Sequence, residues 1–245
     1  MLRRIFLFSL VSFLLAAGNA AFAQGIMAEI PKNIDVTARY VFYLPDAVVT
    51  PGNPQPVHEE FGEYQYAEIV NRFVAAGFVV ITQPREATSH PYLEADAIVK
   101  QIRQLLAEGV PAASIGIVGA RQGAAIAVII TYKMEVAGLQ VVLLSACNEQ
   151  FIEFWKQQNE LLAGNVLSIY VTSDTERGPC LPFLEYCAKS TVQLYREIAL
   201  PASAGNGYFY KGTAIWMLPS IAWLRGEHDA VDENGLIPPN VQRPK

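Results

Sequence analysis

The chain has 245 residues, 52% of them hydrophobic and 17% charged, which is enough for one single-core domain and too short for two of ordinary size. Its 18 basic residues are unclustered and outnumbered by 23 acidic ones, a formal net charge of −5, which argues against nucleic acid as a partner. Beyond the N-terminus no stretch is long and apolar enough to cross a bilayer.

Residues 1–23 read as a secretory signal peptide: Arg3 and Arg4, an apolar run over 5–17, then Ala21-Phe22-Ala23 before Gln24. A retained N-terminal anchor is the alternative. The mature chain, 24–245, is expected as a single periplasmic or secreted domain. It keeps 16 basic against 23 acidic residues, a formal net charge of −7.

Residues 24–38 show little periodicity, and 40–44 (YVFYL) predict a strand. Residues 45–62, with four prolines, predict a long loop of the kind that carries function or stays mobile. A helix over 66–76 closes at Gly77, a buried strand follows over 78–82, and a long amphipathic helix spans 92–108. Residues 115–118 predict a strand running into Gly119, a tight turn and an alanine-rich helix. Strands are expected over 140–144, 166–171 and within 192–200, with helices over 151–162, 182–189 and 214–225. Pro219 should kink or restart the last of these, and the tail from Gly226 should fray.

Alternating elements with strands apolar on both faces predict an α/β fold, a mostly parallel central sheet with helices on both faces. Such sheets place their sites beyond the carboxyl ends of the strands. Four loops therefore matter: Pro45-Asp46, Arg121-Gln122, 172–176 and 205–208.

The turn at 119–123 reads Gly-Ala-Arg-Gln-Gly. From about residue 40 to 225 the order of such motifs resembles the α/β-hydrolase superfamily of serine esterases and lipases. YVFYLPD is similar to the strand that ends beside the oxyanion hole, and GARQG to the G-x-S-x-G nucleophile elbow. VTSDTERGPC and GNGYFY are similar to the segments that supply the acid and the histidine base. The resemblance places the nucleophile at Arg121, the acid at Asp174 and the base at Asn206, and implies a degenerate triad.

A guanidinium stays protonated and has no lone pair with which to attack a carbonyl. The Asn206 amide does not accept a proton near neutrality, and Pro45, at the oxyanion loop, has no backbone N–H. The expectation is a catalytically inactive pseudo-hydrolase with Arg121 paired to Asp174 and Asp46 across the former cleft. One alternative is an active carboxylic ester hydrolase with a relocated nucleophile, for which Ser145, Cys147 and Ser173 stand at predicted strand ends. Another is a small-anion-binding protein using Asp46, Arg121, Gln122 and Tyr208, with Arg121 at a helix N-terminus. A third is a protein-interaction module using the 45–62 loop; no protein partner is indicated.

No motif asks for a cofactor, and no C-x-x-C or histidine cluster suggests a metal. Of the three cysteines, Cys180 and Cys187 are the expected disulfide because one short loop joins them. Cys147 is expected as a buried small hydrophobe.

Overall fold

Runs of β-branched and aromatic residues become the strands of one six-stranded sheet in the computed structural model, which describes residues 27–159, 161–189, 191–201 and 207–236. In chain order the elements are β1 (Arg39–Leu44), β2 (Val57–His58), β3 (Gly62–Glu63), α1 (Tyr66–Ala75), β4 (Phe78–Ile81) and α2 (Pro91–Ala107). They continue with β5 (Ile115–Ala120), α3 (Gln122–Met134), β6 (Gln140–Leu144), α4 (Glu149–Gln158) and β7 (Gly164–Val171). Last come α5 (Leu181–Cys187), β8 (Val192–Leu200), α6 (Gly207–Tyr210), α7 (Ala214–Leu224), β9 (Val231–Asp232) and β10 (Gly235–Leu236). The sheet order is β4-β1-β5-β6-β7-β8, and every pairing is parallel.

Alternate strand residues feed two cores. Tyr40, Phe42, Ile117, Val141 and Leu143 pack beneath α2, α3, α4 and α5, whereas Val41, Tyr43, Val118, Val142 and Leu144 pack beneath α1 and α7. The two-residue period of a strand thus supplies both faces, which is why these strands read as continuous apolar runs. The parallel direction collects the ends of β1, β5, β6 and β7 on one edge.

Several boundaries differ from expectation. Helix α4 starts at Glu149, because the Asn148 side chain accepts from Phe151 N at 2.8 Å, and it closes at Asn159 in the left-handed region. Helix α7 runs through Pro219. The segment after Gly226 does not fray at once: His228 bonds Gln140 at 2.7 Å and packs on Trp223, and Val231 is fully buried in the β9–β10 hairpin. The 45–62 loop carries the buried Val49 and ends in the β2–β3 hairpin. The signal peptide expected over 1–23 lies outside the described residues. Among the described residues no helix is long and apolar enough to cross a membrane.

The disulfide is Cys147–Cys180, and Cys187 is free and buried; this corrects the pairing of Cys180 with Cys187. The reason is α5. Cys180 sits immediately before the helix and Cys187 is its last residue, so seven residues of helical rise separate them by about 10 Å. A disulfide tolerates no more than about 7 Å between Cα atoms. Burial pushes the Cys187 thiol up to about 11, which leaves it inert at neutral pH. Non-reducing peptide mapping should recover the 147–180 link and Cys187 as a free thiol after denaturing alkylation; a 180–187 link would refute this topology.

Candidate functional site

Strand β5 ends at Ala120 and α3 begins at Gln122, so one residue, Arg121, must reverse the chain. It does so at φ 47°, ψ −106°, a conformation that L-residues hold only when the surroundings impose it. The two flanking glycines explain how. A Cβ on Gly119 would stand 2.6 Å from the Ala124 Cα, and one on Gly123 would run into the Leu44 carbonyl oxygen. The turn therefore needs glycine two residues either side of its tip. Arg121 N donates to Leu144 O at 2.8 Å, and Ala124 N to Arg121 O at 3.1 Å.

All three guanidinium nitrogens of Arg121 face carboxylates. Nε lies 3.4 Å from Asp46 Oδ2 and Nη1 3.5 Å from Asp174 Oδ2, while Nη2 bonds Glu176. The Asp46 and Asp174 side chains are 9% and 2% exposed and that of Arg121 18%, whereas Glu176 is 70% exposed. The first two pairs are accordingly the energetically serious ones, since ion pairs in solvent contribute little.

Each acid is also held by backbone. Asp174 Oδ1 accepts from Glu176 N at 3.0 Å and Arg177 N at 3.1 Å. Asp46 accepts from Ala47 N at 2.7 Å. Burial raises the Asp46 carboxyl above its ordinary range despite the opposing Arg121 charge. Tyr64 and Tyr43 share a 2.8 Å hydroxyl bond beneath Asp46, and burial raises both phenols. The Tyr210 ring lies 4.8 Å from that of Tyr64 between centroids, tilted by 50°, and feels both Asp46 and Arg121.

The loop from β7 is fastened to the segment after β6. Besides the disulfide, Gly178 N donates to Cys147 O at 2.7 Å and Asn148 Nδ2 to Glu176 O at 3.2 Å. Glu197 of β8 accepts from Cys180 N at 2.6 Å and Leu181 N at 3.2 Å, at the N-terminus of α5.

Of the residues expected from sequence, Arg121, Asp174, Asp46 and Gln122 meet at this edge. Tyr208 lies in α6 and is partly buried against the α1–α7 core. Asn206 lies outside the described residues. Glu176 and the Tyr43–Tyr64 pair were not singled out by sequence. Glu176 stands two residues from Asp174 in the flagged loop, and only the Asp174 turn brings it back toward Arg121.

The other nucleophile candidates are differently engaged. Ser145 is fully buried, Cys147 is half of the disulfide, and Ser173 is on the exposed loop beside Asp174. His58 Nδ1 accepts from Glu60 N and Phe61 N, His90 precedes α2, and His228 bonds Gln140. No serine–histidine hydrogen bond occurs among the described residues.

No family profile and no curated protein sequence matches the chain. Solved structures do. The chain is similar to a CIB-like hydrolase from Thermoplasma acidophilum at TM-score 0.51 and 15% identity, covering 79% of this chain and 89% of that one. A protein of unknown function from Agrobacterium tumefaciens, described as an alpha/beta hydrolase, aligns at TM-score 0.50 and 14% identity over 81% and 85% of the two chains. A sugar hydrolase from Lactococcus lactis aligns at TM-score 0.50 and 12% identity over 82% and 92%.

Proposed function

From the premise that this chain has the α/β-hydrolase fold, we propose that it is a secreted or periplasmic protein in which the fold has been retained without hydrolytic turnover. The observation that carries this reading is the Arg121 cluster. The elbow tip presents a permanent cation where an attacking hydroxyl belongs, and that cation is held by the acid position, Asp174, and by Asp46. In the fold family the residue after the nucleophile donates its N–H to the oxyanion; here a carboxylate, Asp46, already sits against the elbow residue Arg121. The second oxyanion donor would come from the loop after β1, where Pro45 has none to offer. The cleft thus contains its own anion in place of a reacting one.

The same cluster weighs against a ligand held by Arg121 itself, because no edge of its fork is free. Export is supported by the leader-like residues 1–23 and by the Cys147–Cys180 disulfide, a bond that persists in oxidising compartments.

Treatment of the purified mature chain with a fluorophosphonate probe, followed by intact mass, tests the reading. No adduct should form under conditions that label a serine esterase to completion. Stoichiometric modification of any one serine would restore an active hydrolase.

A further inference from the structure

At the edge of the sheet opposite the elbow, the chain turns back after α7. Glu227 N donates to Ala222 O at 3.0 Å, and residues 228–236 then run against α7 as a tight turn and the β9–β10 hairpin. Val231 of this segment is fully buried in the same core as Trp223. His228 gives the segment a polar contact with the sheet. Its Nε2 stands 2.7 Å from Oε1 of Gln140, the first residue of β6, and its ring lies 4.5 Å from that of Trp223 between centroids. The other end of the Gln140 amide fixes its orientation, since Nε2 donates to Gly138 O at 2.8 Å. Gln140 Oε1 therefore accepts, so the neutral His228 ring carries its proton on Nε2 and is bare at Nδ1.

We propose that His228 is an acid-responsive latch: neutral, it holds the 227–236 segment to the start of β6, and protonated at Nδ1 it loosens that segment while the sheet stays folded. The proton comes from solvent and leaves the Nε2–H bond to Gln140 in place. What it adds is a charge, in a half-buried position against an indole. From β6 and α7 the ring meets Gln140 and Trp223, neither of which titrates. Two charged groups act on it: Arg196 of β8 opposes a second cation, and Asp229 beside it in the chain favours one. Burial outweighs Asp229 and, with Arg196, holds the imidazole below its ordinary value of 6.5. A depressed folded value means that docking is fully stabilised above the ordinary one and loses stability as pH falls through the depressed one. Local opening of this kind uncovers the sides of α7 and β8 that β9 touches. The latch lies at the far edge from Arg121, so the inference does not depend on whether the elbow is inactive.

The test uses the mature chain between about pH 5.5 and 7.5, where ordinary carboxylates stay ionised. Proton NMR of the imidazoles, with His228 identified by its nuclear Overhauser contact to the Trp223 ring, should give it a pKa below 6.5. Hydrogen exchange read by mass spectrometry, normalised to the intrinsic rate at each pH, reports on docking. Protection in 227–236 should fall on the order of three- to tenfold from the higher pH to the lower, with β5 and β6 unchanged. Arg196→Gln should raise the His228 pKa and shrink that fall. His228→Gln, whose amide still donates to Gln140 but does not titrate, should abolish it. Circular dichroism establishes that each variant folds. A wild-type His228 pKa at or above the ordinary value would overturn the proposal without recourse to either variant. Equal protection at both pH values, a fall spread evenly over the sheet, or an undiminished fall in His228→Gln would overturn it as well.

Discussion

Replacing Arg121 by serine, which gives the turn a G-x-S-x-G sequence, should lower stability at pH 7 by about 3 kcal/mol, because it strands two buried carboxylates. For a chain of this size that is a fall in melting temperature of about 6–12 °C. The count includes Asp46 and Asp174 and gives no weight to the exposed Glu176. The loss should shrink in acid, and the sign follows from Asp46. Its carboxyl is already raised by burial, and Arg121 is the principal influence holding it down. Without Arg121 it rises further, so the folded state holds its proton more tightly than the unfolded chain does. Stability then falls as pH climbs from the ordinary carboxylate value, about 4, through the raised one. Melting curves at pH 5.0 and 7.5 should show the gap between variant and wild type narrowing by at least half at the lower pH. A pH-independent gap would mean that the cluster is not what Arg121 stabilises. The variant should also turn over no p-nitrophenyl ester above the blank. Adding Asn206→His should give weak activity at best, since Pro45 still lacks an N–H.

Loss of the Cys147–Cys180 bond should be larger. It closes a loop of 33 residues' separation, for which the chain-entropy relation gives about 4 kcal/mol. Paired Cys147→Ala and Cys180→Ala substitutions should lower the melting temperature by about 8–16 °C. Reduction of the wild type should approach the same value. Because the bond fastens the loop that carries Asp174 and Glu176, hydrogen exchange in residues 172–180 should accelerate before exchange in β5 or β6 does. Uniform acceleration across the sheet would show instead that the bond acts on the whole domain.

Much of this was legible in sequence for a definite reason. Strand–glycine–turn–glycine–helix is a local pattern, and the steric demands on Gly119 and Gly123 leave few other ways to write it. Asp174 and Asp46 were legible because a parallel sheet brings the ends of β1, β5 and β7 to one edge. Glu176 was not. It is one acid in an exposed loop, and only the turn at Asp174 carries it back to Arg121, which no spacing encodes. The cysteine pairing failed on the same ground. Nearness along the chain suggested Cys180 with Cys187, and the rigid helix between them made near neighbours too distant to bond. Residues 227–236 were misjudged because charge in the sequence outweighed the burial of a single valine.

The arrangement around Arg121 also bears on which sequences this turn can accept. A single change to serine leaves Asp46 and Asp174 facing each other across a buried gap, and neutralising Asp46 first takes a carboxylate from the cation that holds the turn. Each one-residue change within the cluster therefore crosses a less stable protein. Positions 46, 121 and 174 are thus tied to one another, and only coordinated substitutions can exchange them without that loss.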